Sequence, residues 1–101
     1  MKPTIGRIVH YKLSDYDAKA INRRRADFAS AQPANTGFQG HVGNQAEAGQ
    51  VFPAQIVRVF DPEGTSGTAN LQVSLDGNDT YWATSRKIGD GEGDWSWPPR
   101  V

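Results

Sequence analysis

Leu71-Gln72-Val73-Ser74-Leu75-Asp76-Gly77-Asn78-Asp79-Thr80-Tyr81-Trp82-Ala83-Thr84-Ser85-Arg86-Lys87-Ile88 decides how the chain reads. Leu71, Val73 and Leu75 alternate with Gln72 and Ser74, the period-two pattern of a strand with one buried and one wet face. Asp76-Gly77-Asn78-Asp79 is a tight-turn signal of the Asp-Gly type. It carries oxygen ligands but is too short for a calcium loop. Thr80 to Ile88 returns as the partner strand. Upstream, Val51 to Phe60 is a long apolar strand, and Pro53 puts its beginning at an edge or bulge. The polar stretch Asp61 to Asn70 joins the two. Downstream lie a turn, the alternating Trp95 and Trp97, and a stop at Pro98-Pro99.

Towards the N-terminus, Thr4 to Leu13 is rich in β-branched and aromatic residues and reads as a strand. Ser14 followed by Asp17 is a variant of the capping box: the hydroxyl accepts from the Asp17 amide and the carboxylate reaches back. Asp15 and Asp17 suit the positive end of a helix dipole, and Asp15–Lys19 is a favourable i,i+4 pair. Ala18, Ile21 and Phe28 share a face that Arg25 interrupts, so a helix is expected over about residues 15–29. Ser30 to Gln50, with four glycines and a proline, reads as a long loop of the kind that is functional, held by a partner or disordered. Phe38, His41 and Val42 argue against pure disorder. The expected fold is mainly β with one helix (α+β), in the order β-α-loop-β-β-β with four or five strands. It is a small, antiparallel, partly open barrel of the SH3-like kind.

The chain has 101 residues, which makes one domain over 1–101. A domain of this size buries roughly 60–65% of its unfolded surface. Charged residues at 22% and hydrophobic ones at 37% are globular values, which argues against disorder. No apolar run reaches the roughly 20 residues a membrane span needs, and the N-terminus has no signal-peptide core, so a cytosolic protein is expected. The absence of cysteine excludes disulfides, thiol catalysis and thiolate metal sites, and two histidines argue against an imidazole zinc site. Net charge is zero, yet residues 1–25 carry seven cations against two carboxylates, a balance of +5. Residues 61–94 carry two cations against seven carboxylates, a balance of −5. Either the halves neutralise each other in the fold or across subunits, or the basic half holds an anion. The neutral total argues against long duplex DNA as a partner.

Asn22-Arg23-Arg24-Arg25 is the most distinctive local feature. Three consecutive arginines wrap most of a helix, so at least one reaches a carboxylate, a phosphate or another subunit. Pairing within the chain would use Asp27 or the acidic hairpin. Tyr81 and Trp82 point to opposite faces of a strand, which leaves one outside the core unless something covers it. Beside Arg86 or Arg25, an exposed aromatic is a base-stacking platform; burial in an oligomer is the alternative. His41-Val42-Gly43-Asn44 offers a close backbone approach at Gly43 and an amide at Asn44. His10 and His41 would have to meet to act as an acid–base pair, and nothing in the sequence joins them. No phosphate-binding loop, nucleophile elbow, zinc-protease helix or calcium loop is present. The candidate ligand-binding set is Tyr11, Asn22, Arg23, Arg25, His41, Asn44, Trp82 and Arg86, with no catalytic residue, metal site or cofactor expected.

Thr4-Ile-Gly-Arg-Ile-Val-His-Tyr-Lys-Leu-Ser14, Asn22-Arg-Arg-Arg25, Gly40-His-Val-Gly-Asn44, Leu75-Asp-Gly-Asn-Asp-Thr-Tyr-Trp82 and Trp97-Pro-Pro-Arg-Val101 together resemble a widespread group of small phage-encoded proteins of about this length. That group is associated with the phage anti-CBASS sponge proteins. The resemblance spans essentially the whole chain. It implies a non-enzymatic protein that binds and sequesters host cyclic oligonucleotide immune signals in the host cytoplasm, as a homo-oligomer with ligand pockets at subunit contacts. The residues themselves also fit a virion or assembly accessory protein working through protein–protein contacts, and a single-stranded nucleic-acid binder. An enzyme ranks last.

Overall fold

The computed structural model describes residues 2–31, 45–61, 66–76 and 79–99, with 28–31 as backbone alone. Five strands and one helix follow in the order β1 (Ile8–Lys12), α1 (Asp15–Ala31), β2 (Val51–Val59), β3 (Ala69–Ser74), β4 (Thr80–Arg86) and β5 (Trp95–Ser96). They form one antiparallel sheet in the spatial order β4-β3-β2-β1-β5. Alternation along each strand sends Val9, Tyr11, Ala54, Ile56, Leu71, Val73 and Ala83 to one side, where they form the core with Leu13, Ile21 and Trp95.

The curled sheet is not closed by a ladder. After β4 the chain crosses to β5 and makes an isolated parallel bridge, Ile88 to Trp95. The Trp95 N–H donates to the Lys87 carbonyl at 3.0 Å, and the Gly89 N–H to the Trp95 carbonyl at 3.0 Å. The result is a partly open barrel, mainly β with one helix, as the alternation and turn signals predict. Trp95 is fully buried and plugs the seam, with its indole N–H on the Gly67 carbonyl at 3.0 Å. Gly67 sits at φ +61°, and a Cβ there would come within 2.5 Å of Ile88. Only glycine accepts both that dihedral and that contact.

The element boundaries differ from the expected ones for local reasons. β1 begins at Ile8 rather than Thr4, because Gly6 at φ +92° makes a turn closed by the Arg7 N–H on the Thr4 carbonyl at 3.2 Å. The helix continues through Ala31 because Ala29 and Ala31 favour helix and the first proline comes only at position 33. Strand pairing of β4 stops at Arg86 because a bulge intervenes: two residues, Thr84 and Ser85, oppose Asn70 alone. A second bulge, at Val57 in β2, leaves both Val57 and Arg58 exposed.

Candidate functional site

The helix start forms as the capping pattern predicts. The Asp17 N–H donates to Ser14 Oγ at 3.1 Å, and the Ser14 N–H donates to Asp17 Oδ2 at 3.0 Å. The Asp15–Lys19 pair is present at 3.0 Å. The capping carboxylate does much more than cap. Asp17 is fully buried, and it also accepts from the Tyr11 hydroxyl, from the Tyr81 hydroxyl at 2.8 Å and from Arg86 Nη2 at 2.9 Å. Burial by itself would raise the Asp17 pKa. The hydrogen bonds from Tyr11, the Ser14 backbone and Tyr81, with the Arg86 charge, outweigh it and hold the carboxyl below its ordinary value. Burial and the Asp17 carboxylate push the Tyr11 phenol well up and the Tyr81 phenol up to about 12.

The β4 bulge is what delivers Arg86 to this cluster. Tyr81 and Ala83 point inward, so unbroken alternation would turn Arg86 outward. The extra residue reverses the phase. Ser85 pays with a left-handed backbone at φ 54°, and its N–H is held by Asn70 Oδ1 at 2.8 Å. The Arg86 guanidinium lies 5.7 Å from the Tyr11 ring centre, and its buried Nε has no hydrogen-bond partner among the described residues.

The arginine run meets the acidic hairpin. Arg24 Nη2 lies 2.7 Å from Asp79 Oδ2, Arg25 Nε 3.2 Å from the same oxygen, and Arg25 Nη2 3.9 Å from Asp76. Burial raises the Asp79 pKa less than the bonds from Arg25 and Arg24 lower it. The two oppositely charged parts of the chain therefore neutralise each other partly at this junction.

The eight sequence-derived candidates do not share one surface. Tyr11 and Arg86 come together around Asp17, inside the fold. Asn22 clamps the returning chain, donating to the Ala46 carbonyl at 2.8 Å and accepting from its N–H at 3.0 Å. Arg25 is nearly buried against the hairpin. Arg23 is exposed and lines a groove of about 690 Å³ along the helix with Tyr16, Lys19 and Asp27. His41 and Asn44 lie outside the described residues. His10 is half-buried in a cleft of about 80 Å³ beside Asp94 and Ser96. Among the described residues no three potential metal ligands come together, and no helix is long and apolar enough to cross a membrane.

Trp82 stands on the opposite side of the sheet, 59% exposed, while Tyr81 points inward. Cross-strand register places it in a row: Ile8 faces Gln55, Gln55 faces Gln72, and Gln72 faces Trp82. Three strand spacings make this row about 14 Å long. No outward position of β1 to β4 is Asp or Glu, and the exposed Arg58 brings positive charge to that side. Lys12 instead donates to the Asp90 carbonyl at 2.7 Å, in the cleft it shares with Asp90 and Asp94. The sequence flagged Trp82 but not Gln55 and Gln72, because pairing register across separate strands is not legible in a linear pattern. No family model, curated protein or solved structure matches the chain.

Proposed function

We propose that the protein is a non-enzymatic binding domain that captures a nucleotide on the outer face of its sheet, with Trp82 as the stacking platform. One observation carries this reading: an exposed indole aligned with the amides of Gln72 and Gln55, on strands whose outward positions carry no carboxylate. An indole stacks on any base, side-chain amides can bond base edges, and a row of residues without negative charge does not repel phosphate there. The buried titratable cluster is spent on the fold. Asp17 is enclosed and saturated with donors, which suits a structural anchor better than a proton shuttle. The resemblance to phage anti-CBASS sponge proteins supports cyclic oligonucleotides as the ligand class, held intact in the host cytoplasm. On this reading the site keeps Trp82 and adds Gln55, Gln72 and Arg58, while Tyr11, Asn22, Arg25 and Arg86 make contacts that support the scaffold.

The test is titration of cyclic di- and trinucleotides, mononucleotides and short oligonucleotides, followed by tryptophan fluorescence and thermal shift. A ligand at 100 times its dissociation constant adds about 2.7 kcal/mol to native stability. Trp82→Ala should abolish that shift while leaving the unliganded melting point nearly unchanged. A flat panel refutes the nucleotide reading. Ile8, Val51 and Val57 are exposed on the same face and favour a second reading, docking of another protein there, as a virion or assembly accessory would require. Steeply salt-dependent binding of oligonucleotides alone would identify a single-stranded nucleic-acid binder.

A further inference from the structure

The sheet has two edges, and they are protected very differently. β5 has two residues, and the side of it that faces away from β1 is occupied by the chain after β4. β4 pairs with β3 on one side only. Edge strands usually carry a lysine, a proline or a bulge that discourages further pairing. Thr80-Tyr81-Trp82-Ala83-Thr84 has no charge and no proline, and the bulge comes only at its end.

The direction of the backbone groups follows from the hairpin. The Leu75 N–H donates to the Asp79 carbonyl at 3.0 Å, so that pair is a hydrogen-bonded one. Antiparallel pairs alternate between bonded and non-bonded. In the register Val73–Tyr81, Gln72–Trp82 and Ser74–Thr80, the bonded pair is Val73–Tyr81. The N–H and C=O of Trp82 therefore point away from β3, to the open edge. So does the Thr80 carbonyl, while the Thr80 N–H is held by Asp79 Oδ1 at 2.8 Å. Among the described residues no backbone bond outside the sheet reaches Trp82.

We propose that β4 pairs antiparallel with β4 of a second copy of this chain, about a two-fold axis at Trp82, joining two sheets edge to edge. The segment is self-complementary about that centre. Trp82 meets its own copy as a bonded pair, Tyr81 meets Ala83, and Thr80 meets Thr84. No like charges oppose one another anywhere in the pairing, and paired β-branched and aromatic residues suit adjacent strands. A charged or irregular partner strand would lack this symmetry. The bulge at Thr84–Ser85 limits the pairing to five residues, well short of a standard interface, so the dimer is concentration-dependent. Both indoles stay on the outer face, which widens the aromatic platform to two rings. The ligand reading is not needed for this inference, and the test uses no ligand.

The experiment is sedimentation velocity on the full chain over a wide concentration range, with two charge variants and far-UV circular dichroism to confirm folding. Within one strand, positions 80 and 84 are about 14 Å apart and do not interact; across the two-fold axis they face each other. Thr80→Lys with Thr84→Lys places like charges at both contacts and should abolish the dimer. Thr80→Lys with Thr84→Glu places opposite charges there and should restore or strengthen it. A wild-type chain that stays monomeric into the millimolar range overturns the proposal. So does an unchanged dimer in the double-lysine variant, or loss of the dimer in both variants.

Discussion

Asp17→Asn keeps the shape of the capping side chain and removes its charge, and the structure lets the cost be worked out. In the native fold the carboxylate accepts from two phenols, one guanidinium and one backbone N–H with none of its surface in water. Asparagine offers one carbonyl oxygen, so it can serve one or two of these donors, and its NH2 points donor to donor at another. Arg86 suffers most. Its side chain is 25% exposed, its Nε already has no partner among the described residues, and the substitution removes its counter-charge. Breaking a buried pair on one side costs roughly 3–5 kcal/mol. Partial exposure of Arg86 and the retained cap bring the expected loss to the lower end, about 3 kcal/mol. For a domain of this size that lowers Tm by roughly 12–24 °C. It is a large part of the total stability of about 5–15 kcal/mol. Urea denaturation followed by circular dichroism measures it, with Asp15→Asn as the control. The exposed Asp15–Lys19 pair should contribute less than about 1 kcal/mol. A loss below about 1 kcal/mol for Asp17→Asn, at unchanged m-value, would refute the view that this carboxylate organises the fold.

Stability should also fall at both ends of the pH range. Asp17 and Asp79 have folded pKa values below their unfolded ones, so their contribution is complete above an unfolded pKa of about 3.9 and is lost as pH falls through the folded values. Tyr81 is raised, so its contribution is complete below its unfolded pKa of about 10 and is lost as pH rises towards about 12; denaturation midpoints across pH test both signs. Ser85→Gly should be neutral or stabilising by up to about 1 kcal/mol, since glycine accepts φ 54° without strain. Ser85→Val should cost more than about 1 kcal/mol, and equal Tm values for the two variants would remove the strain argument. A double-mutant cycle with Arg25→Ala and Asp79→Ala should return a coupling of about 1 kcal/mol or more that shrinks with added salt, because Arg25 is nearly buried and Asp79 only partly so.

Much of the scaffold was legible in order along the chain. Alternation at Leu71 to Leu75 and the returning Thr80 strand are local signals, and each reports on its near neighbours; Gly77 and Asn78 of the expected Asp-Gly turn lie outside the described residues. Ser14 and Asp17 are three residues apart, so their reciprocal bonds could be read directly. The further partners of Asp17 could not, since Tyr81 and Arg86 lie 64 and 69 residues away. Nor could the phase reversal at Ser85, because a bulge depends on what the facing strand offers, here the Asn70 amide. The arginine run shows the same division. The sequence limited it to a few partners, the acidic hairpin among them, and the packing of α1 against that hairpin selected Asp79.

What the sequence by itself determined is the β-rich class, the single helix with its cap, and the fact that Tyr81 and Trp82 must face opposite ways. All of these follow from dihedral preference and periodicity within a few residues. Which of the two faces is the core, which residues stand in register with Trp82, and which cations are consumed by carboxylates were decided only by tertiary structure. They depend on strands brought together from distant parts of the chain, and their energies arise only once water has been excluded between those parts.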